Sequence, residues 1–132
     1  MRKEETENFI SRNAALVIGA NGNGTLNISG GAIFETGQRI EVGSGVGSTG
    51  RLNVSGTNTT LKMTNDGTKY GTEYYYLSIG TYGTDAITSV TEGGSITGVQ
   101  KVIAGFITNS AGTLVIDGAG SNVESSVYTM IG

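Results

Sequence analysis

Apolar residues in this chain recur in pairs with one residue between them, and a glycine follows each pair. One form of the pattern reads Leu16-Val17-Ile18-Gly19, Ile40-Glu41-Val42-Gly43, Leu77-Ser78-Ile79-Gly80, Val102-Ile103-Ala104-Gly105 and Thr129-Met130-Ile131-Gly132. A second reads Thr25-Leu26-Asn27-Ile28-Ser29-Gly30, Arg51-Leu52-Asn53-Val54-Ser55-Gly56, a degenerate Ala86-Ile87-Thr88-Ser89-Val90, and Thr113-Leu114-Val115-Ile116-Asp117-Gly118. A spacing of two puts both members of a pair on one face of a short strand. A third apolar position follows at Ile33, Leu61, Ile96 or Val123. Each unit therefore predicts three short strands separated by glycine-bearing turns.

Between the glycines of the first form the steps are 24, 37, 25 and 27 residues, and between Gly30, Gly56, Gly93 and Gly118 they are 26, 37 and 25. Recurrence at about 25 residues is the mark of a solenoid, and this length holds about four to five such units. The predicted fold is all-β, a parallel β-helix. No unit can bury its inward row alone, so each takes its stability from its neighbours. Leu16, Ile40 and Leu77 are expected in one row, and Leu26, Leu52, Ile87 and Leu114 in another. An antiparallel sandwich also accepts short strands, but it gives no reason for two glycine columns with matching steps. A left-handed hexapeptide helix needs an aliphatic residue every six positions, and the run after Leu16 lacks one.

The single long step in both columns places an inserted loop at about 63–76. Repeats occupy 13–132, and residues 1–12 form a charged extension in which Phe9 and Ile10 are expected to cap the first coil and the charged start to stay mobile. The glycines sit where turns between short strands need positive φ, which costs a branched side chain but not glycine. Gly43→Val is accordingly expected to cost more than most surface changes.

Composition narrows the function. Glycine fills 23 of 132 positions, about 17% against a usual value of about 7%. Cysteine, histidine, proline and tryptophan are absent. Without histidine or cysteine the chain lacks the usual general base, the commonest metal ligand and any thiolate, which argues against an enzyme and against disulfides. A net charge of −3 with eight scattered basic residues leaves no footprint for nucleic acid. No run of eighteen apolar residues predicts a membrane span. Met1 to Arg12 carries six charges of both signs rather than the basic-then-apolar order of a secretion signal.

The run Gly43-Ser44-Gly45-Val46-Gly47-Ser48-Thr49-Gly50-Arg51-Leu52-Asn53-Val54-Ser55-Gly56 resembles the repeat of bacterial autotransporter passenger domains. Asn23-Gly24-Thr25-Leu26-Asn27-Ile28-Ser29-Gly30 and Ala111-Gly112-Thr113-Leu114-Val115-Ile116-Asp117-Gly118 are similar to its companion phrases, and the likeness covers about residues 13 to 132. The resemblance implies a right-handed β-helix that is exported, translocated by a C-terminal β-barrel of the parent protein, and displayed at the outer membrane as an adhesin or aggregation factor. This chain is then expected to be a piece of a longer passenger, or a remnant gene product, and to be prone to end-to-end association. In the third repeat, Ala86-Ile87-Thr88-Ser89-Val90-Thr91-Glu92 stands where Gly-x-Leu-x-Val-Ser-Gly is expected, which predicts a locally distorted coil.

Candidate chemistry is sparse. Glu92 and Asp117 fall near one turn column a coil apart, within the carboxylate separations that glycosidic chemistry uses. Ser29 and Ser55 hold that column elsewhere, so a solvated turn explains the pair as well. A polysaccharide-processing β-helix, or a trimeric phage fibre segment, stands as the alternative function. No regular acidic repeat supports calcium, and Gly43 to Gly50 lacks the Gly-Lys-Ser/Thr ending of a phosphate loop, so no cofactor or metal is expected. Tyr74-Tyr75-Tyr76 are consecutive, so an extended strand turns at least one ring outward, where it offers apolar area and a hydroxyl to sugar or protein. The predicted contact surface comprises Tyr70, Tyr74 and Tyr75 with the outward Asn53, Thr57 and Thr59. Stacked coils would align such polar residues into ladders able to meet a second copy.

Overall fold

A computed structural model describes residues 15–64 and 75–132 in full, with the strands Arg2–Glu5 and Phe9–Ser11 as backbone. The protein is all-β, and every strand pairing among the described residues is parallel. One sheet stacks β1 (Arg2–Glu5), β4 (Asn23–Ile28), β7 (Thr49–Ser55), β10 (Asp85–Thr91) and β12 (Gly112–Asp117), in that order. The other begins with β2 (Phe9–Ser11), β5 (Ile33–Thr36) and β8 (Thr60–Met63), reaches the long β11 (Ser95–Ala104), and returns through β9 (Tyr76–Ile79) and β6 (Ile40–Val42) to β3 (Leu16–Ile18). Because β11 pairs with β8 through its first residues and with β9 through its last, this sheet consists of two strand columns joined by one strand. β13 (Asn122–Ile131) follows β11 along its length, with register shifts on either side of Val99. In chain order the strands thus fall into five layers, each with one member in every column.

The rows form as period-two alternation demands. Leu16 pairs with Ile40 and Ile40 with Leu77, while Leu26 pairs with Leu52. Along β7 buried and half-buried residues alternate without a break, Leu52 and Val54 being fully buried. Ile18, Leu26, Ile28, Ile40, Val42, Leu61, Leu77, Ile79 and Ile96 complete a single core, each contributing about 1.5–3 kcal/mol by its burial.

One row differs from expectation. Leu52 pairs with Thr88, not Ile87, and Thr88 in turn pairs with Leu114. Ile87 lies opposite Arg51, on the half-buried outer face. The expected distortion is also absent: β10 runs seven residues in unbroken register with β7 and pairs six of them with β12. What replaces the missing glycine is Glu92, which takes φ +52° at the turn where Gly56 has +107° and Gly118 +95°. Gly93, counted with those glycines by spacing, is the next residue along.

Register also locates the extra residues. From Phe34 to Leu61 is 27 residues and from Leu77 to Val102 is 25, but from Ile40 to Leu77 is 37 and from Leu61 to Ile96 is 35. The additional chain therefore enters between Met63 and Tyr76; residues 65–74, on which the expected insertion falls, lie outside the described residues. At the other end the charged extension joins the sheets. β1 pairs with β4 and β2 with β5, with Lys3 at the register of Leu26 and Glu5 at that of Ile28. Charge at these positions is typical of outermost strands.

Tight approach between layers explains a second use of glycine. Gly24, Gly50, Ala86 and Gly112 share one row, and a Cβ on Gly50 would lie 2.5 Å from the Gly43 nitrogen and 2.8 Å from the Ile18 oxygen. Positive φ adds to the constraint at Gly43, at +67°, where a Cβ would come within 2.8 Å of Ala86 Cβ.

Candidate functional site

Two outer surfaces carry polar or aromatic groups in register. The first is the outward face of β4, β7, β10 and β12, where residues alternate with the buried rows. Its side chains bridge adjacent layers. Asn53 Nδ2 donates to Asn27 Oδ1 at 2.7 Å, and Thr49 Oγ1 donates to Asn23 Oδ1. Between the next two layers, Arg51 Nη2 meets Asp85 Oδ2 at 2.7 Å while Nη1 donates to the Asp85 carbonyl at 2.8 Å. Ser55 Oγ donates to Glu92 Oε2 at 3.0 Å. The polar ladder expected from the sequence is therefore a set of interlayer hydrogen bonds that leaves Asn53 half-exposed.

The predicted contact residues divide. Thr57 is exposed in the turn after Gly56. Thr59 is fully buried, because its Oγ1 accepts the Gly31 N–H of the layer below at 2.9 Å; Ser121 does the same for Gly93. Tyr75 is also buried, at 1% exposure, since counting back in twos from the inward Leu77 turns it to the core. Thr59 and Tyr75 thus offer no outer surface. Tyr70 and Tyr74 lie outside the described residues.

Glu92 and Asp117 come close through their backbones, the Glu92 N–H donating to the Asp117 carbonyl at 3.2 Å. The Glu92 carboxylate, however, is held by Ser55 of the layer on the other side. Among the described residues no three His, Cys, Asp or Glu side chains are grouped to hold a metal ion, and no helix is long and apolar enough to cross a membrane.

The second surface went unnoticed in the sequence. Lys101 pairs in register with Tyr76 below and Tyr128 above, and its Nζ lies 5.8 Å from the centre of the Tyr128 ring. Around this ladder Ser78, Thr81, Ile103 and Phe106 complete an open groove of about 320 Å³. Ser78 and Thr81 hydroxyls share a 2.6 Å hydrogen bond. Ile103, though outward, is only 7% exposed, whereas Phe106 and Tyr128 are 50% and 43% exposed. A usable signal existed: Tyr76, Lys101 and Tyr128 each stand immediately before a first-form repeat element.

No protein-family model matches the chain, nor does any curated protein or solved structure.

Proposed function

We propose that the chain is a right-handed parallel β-helix that works by contact, as a structural and adhesive module of the autotransporter-passenger kind. On this reading it belongs to a longer exported protein whose C-terminal β-barrel carries it to the cell surface. The observation that carries the proposal is the in-register parallel stacking of five three-strand layers, which presents outward residues as continuous ladders rather than as a single concave pocket. The repeat phrases around Gly50–Gly56 supply the link to that class.

Self-association follows from the ladder face. Thr25, Asn53 and Ser89 are half-exposed, and a second copy laid along them would exchange side-chain hydrogen bonds at the strand spacing of about 4.8 Å.

Sedimentation velocity over a wide concentration range tests this. Wild-type protein is expected to form dimers or higher species, and Thr25→Lys with Ser89→Lys is expected to return it to monomer by like-charge repulsion. Monomeric wild-type protein at the highest concentration would contradict the proposal, as would association untouched by the two lysines.

A further inference from the structure

We propose that the groove over Tyr76, Lys101 and Tyr128 binds an acidic oligosaccharide, laid across the strands with a carboxylate at Lys101. This goes beyond self-association, and it uses the sheet of β9, β11 and β13 rather than the ladder face of β7 and β10.

Spacing is the first support. Tyr76, Lys101 and Tyr128 occupy one register position on three adjacent strands, so the two tyrosines stand about 10 Å apart, two strand spacings, with the lysine between them. An aromatic residue on each side of a cation is an arrangement for a chain of rings, each with an apolar face for stacking, and not for a single small ion. Phe106, half exposed at the rim, lengthens the aromatic surface.

Charge is the second. Lys101 has no carboxylate partner among the described residues, and its contact is with the Tyr128 ring. Arg39 meets Glu41 at 3.5 Å, and Arg51 meets Asp85 on the opposite sheet, while Glu124 stands on β13 and Glu35 and Lys62 on β5 and β8 of the same sheet. The molecule as a whole carries a charge of −3, so general electrostatics repels an anion. The local positive charge of the half-buried Lys101 is what draws one to this place, and a neutral or apolar partner would leave it unmatched.

The groove's polarity is the third. Its floor is Ile103 and its wall carries the Ser78 and Thr81 hydroxyls, a mixture of apolar patch and hydroxyl suited to a pyranose, whose faces are apolar and whose edges are hydroxylated. A peptide strand would instead seek a free sheet edge, and this is a sheet face whose backbone is already paired on both sides of β11.

Isothermal titration with a hyaluronan tetrasaccharide, with chitotetraose as the uncharged control, tests the assignment. Wild-type protein is expected to bind the acidic tetrasaccharide about ten-fold or more tightly than the neutral one, with affinity falling as salt is raised. Lys101→Met keeps the stem and removes the charge, and is expected to abolish that preference. Tyr128→Ala is expected to weaken both sugars, and Phe106→Ala, at an exposed turn, provides the same readout should the first variant lose its β-sheet circular dichroism. Equal affinity for the neutral sugar, binding unaffected by Lys101→Met, binding of free glucuronate as tight as that of the tetrasaccharide, or no heat at millimolar ligand would each overturn the proposal. None of these outcomes bears on sedimentation, so the two readings fail separately.

Discussion

Thr88 sits directly over Leu52 in the inward row, fully buried, with no hydrogen-bond partner for its hydroxyl among the described residues. Burying an unmade hydroxyl costs about 1–3 kcal/mol. Thr88→Val keeps the shape and removes the hydroxyl, so it is expected to stabilise the protein by about 1 kcal/mol. In thermal denaturation this reads as a rise of about 4 °C; a fall would mean that the hydroxyl is satisfied or the row is not stacked as described.

Glu92 holds a left-handed backbone at a turn where the layers on either side use Gly56 and Gly118. That conformation costs a non-glycine residue about 1–2 kcal/mol, against a few tenths regained from the exposed hydrogen bond with Ser55. Glu92→Gly is therefore expected to raise stability in urea by about 1 kcal/mol, and Glu92→Val to lower it. If both variants lie on the wild-type curve, strain at this turn is not being stored.

Gly50 and Gly22 are both glycines of the second and first repeats, but only one is hemmed in. A methyl group on Gly50 meets the Gly43 nitrogen and Ile18 oxygen at 2.5 and 2.8 Å, while nothing lies within 4 Å of one on Gly22. Gly50→Ala is expected to cost about 1–3 kcal/mol from overpacking, and Gly22→Ala to stay within about 0.5 kcal/mol of wild type. Chemical denaturation of the two side by side checks the contrast.

Much of the strand stacking was legible in the sequence, because Leu16, Ile40 and Leu77 each open the same short phrase of two aliphatic residues with one residue between them and a glycine after them. Misreading began where glycine was replaced. With Ala86 and Glu92 in the places of two glycines, the nearest remaining glycine, Gly93, pulled the third repeat out of step by one residue. A slip of one turns every side chain to the other face, so Ile87 looked inward and Thr88 outward. Tyr75 failed for a related reason: three consecutive tyrosines carry no parity of their own, and only the inward Leu77 assigns them. Thr59 reads as a surface threonine because the N–H that its hydroxyl accepts belongs to Gly31, 28 residues earlier. The groove stayed hidden since a lysine stands between its two tyrosines, and the relation of Tyr76, Lys101 and Tyr128 is positional.

The central claim is that successive layers lie in parallel register, and interlayer cross-linking tests it most directly. The natural chain has no cysteine, so introduced pairs report without interference. Asn27→Cys with Asn53→Cys, and Asn53→Cys with Ser89→Cys, join register partners at about 4.8 Å, within disulfide reach. Asn27→Cys with Ser89→Cys spans two layers, about 10 Å, which exceeds that reach. Mass spectrometry of folded, oxidised protein is expected to find intramolecular disulfides in the first two variants and free thiols in the third. Free thiols in the adjacent pairs, or equal bonding across all three, would contradict the stacked arrangement.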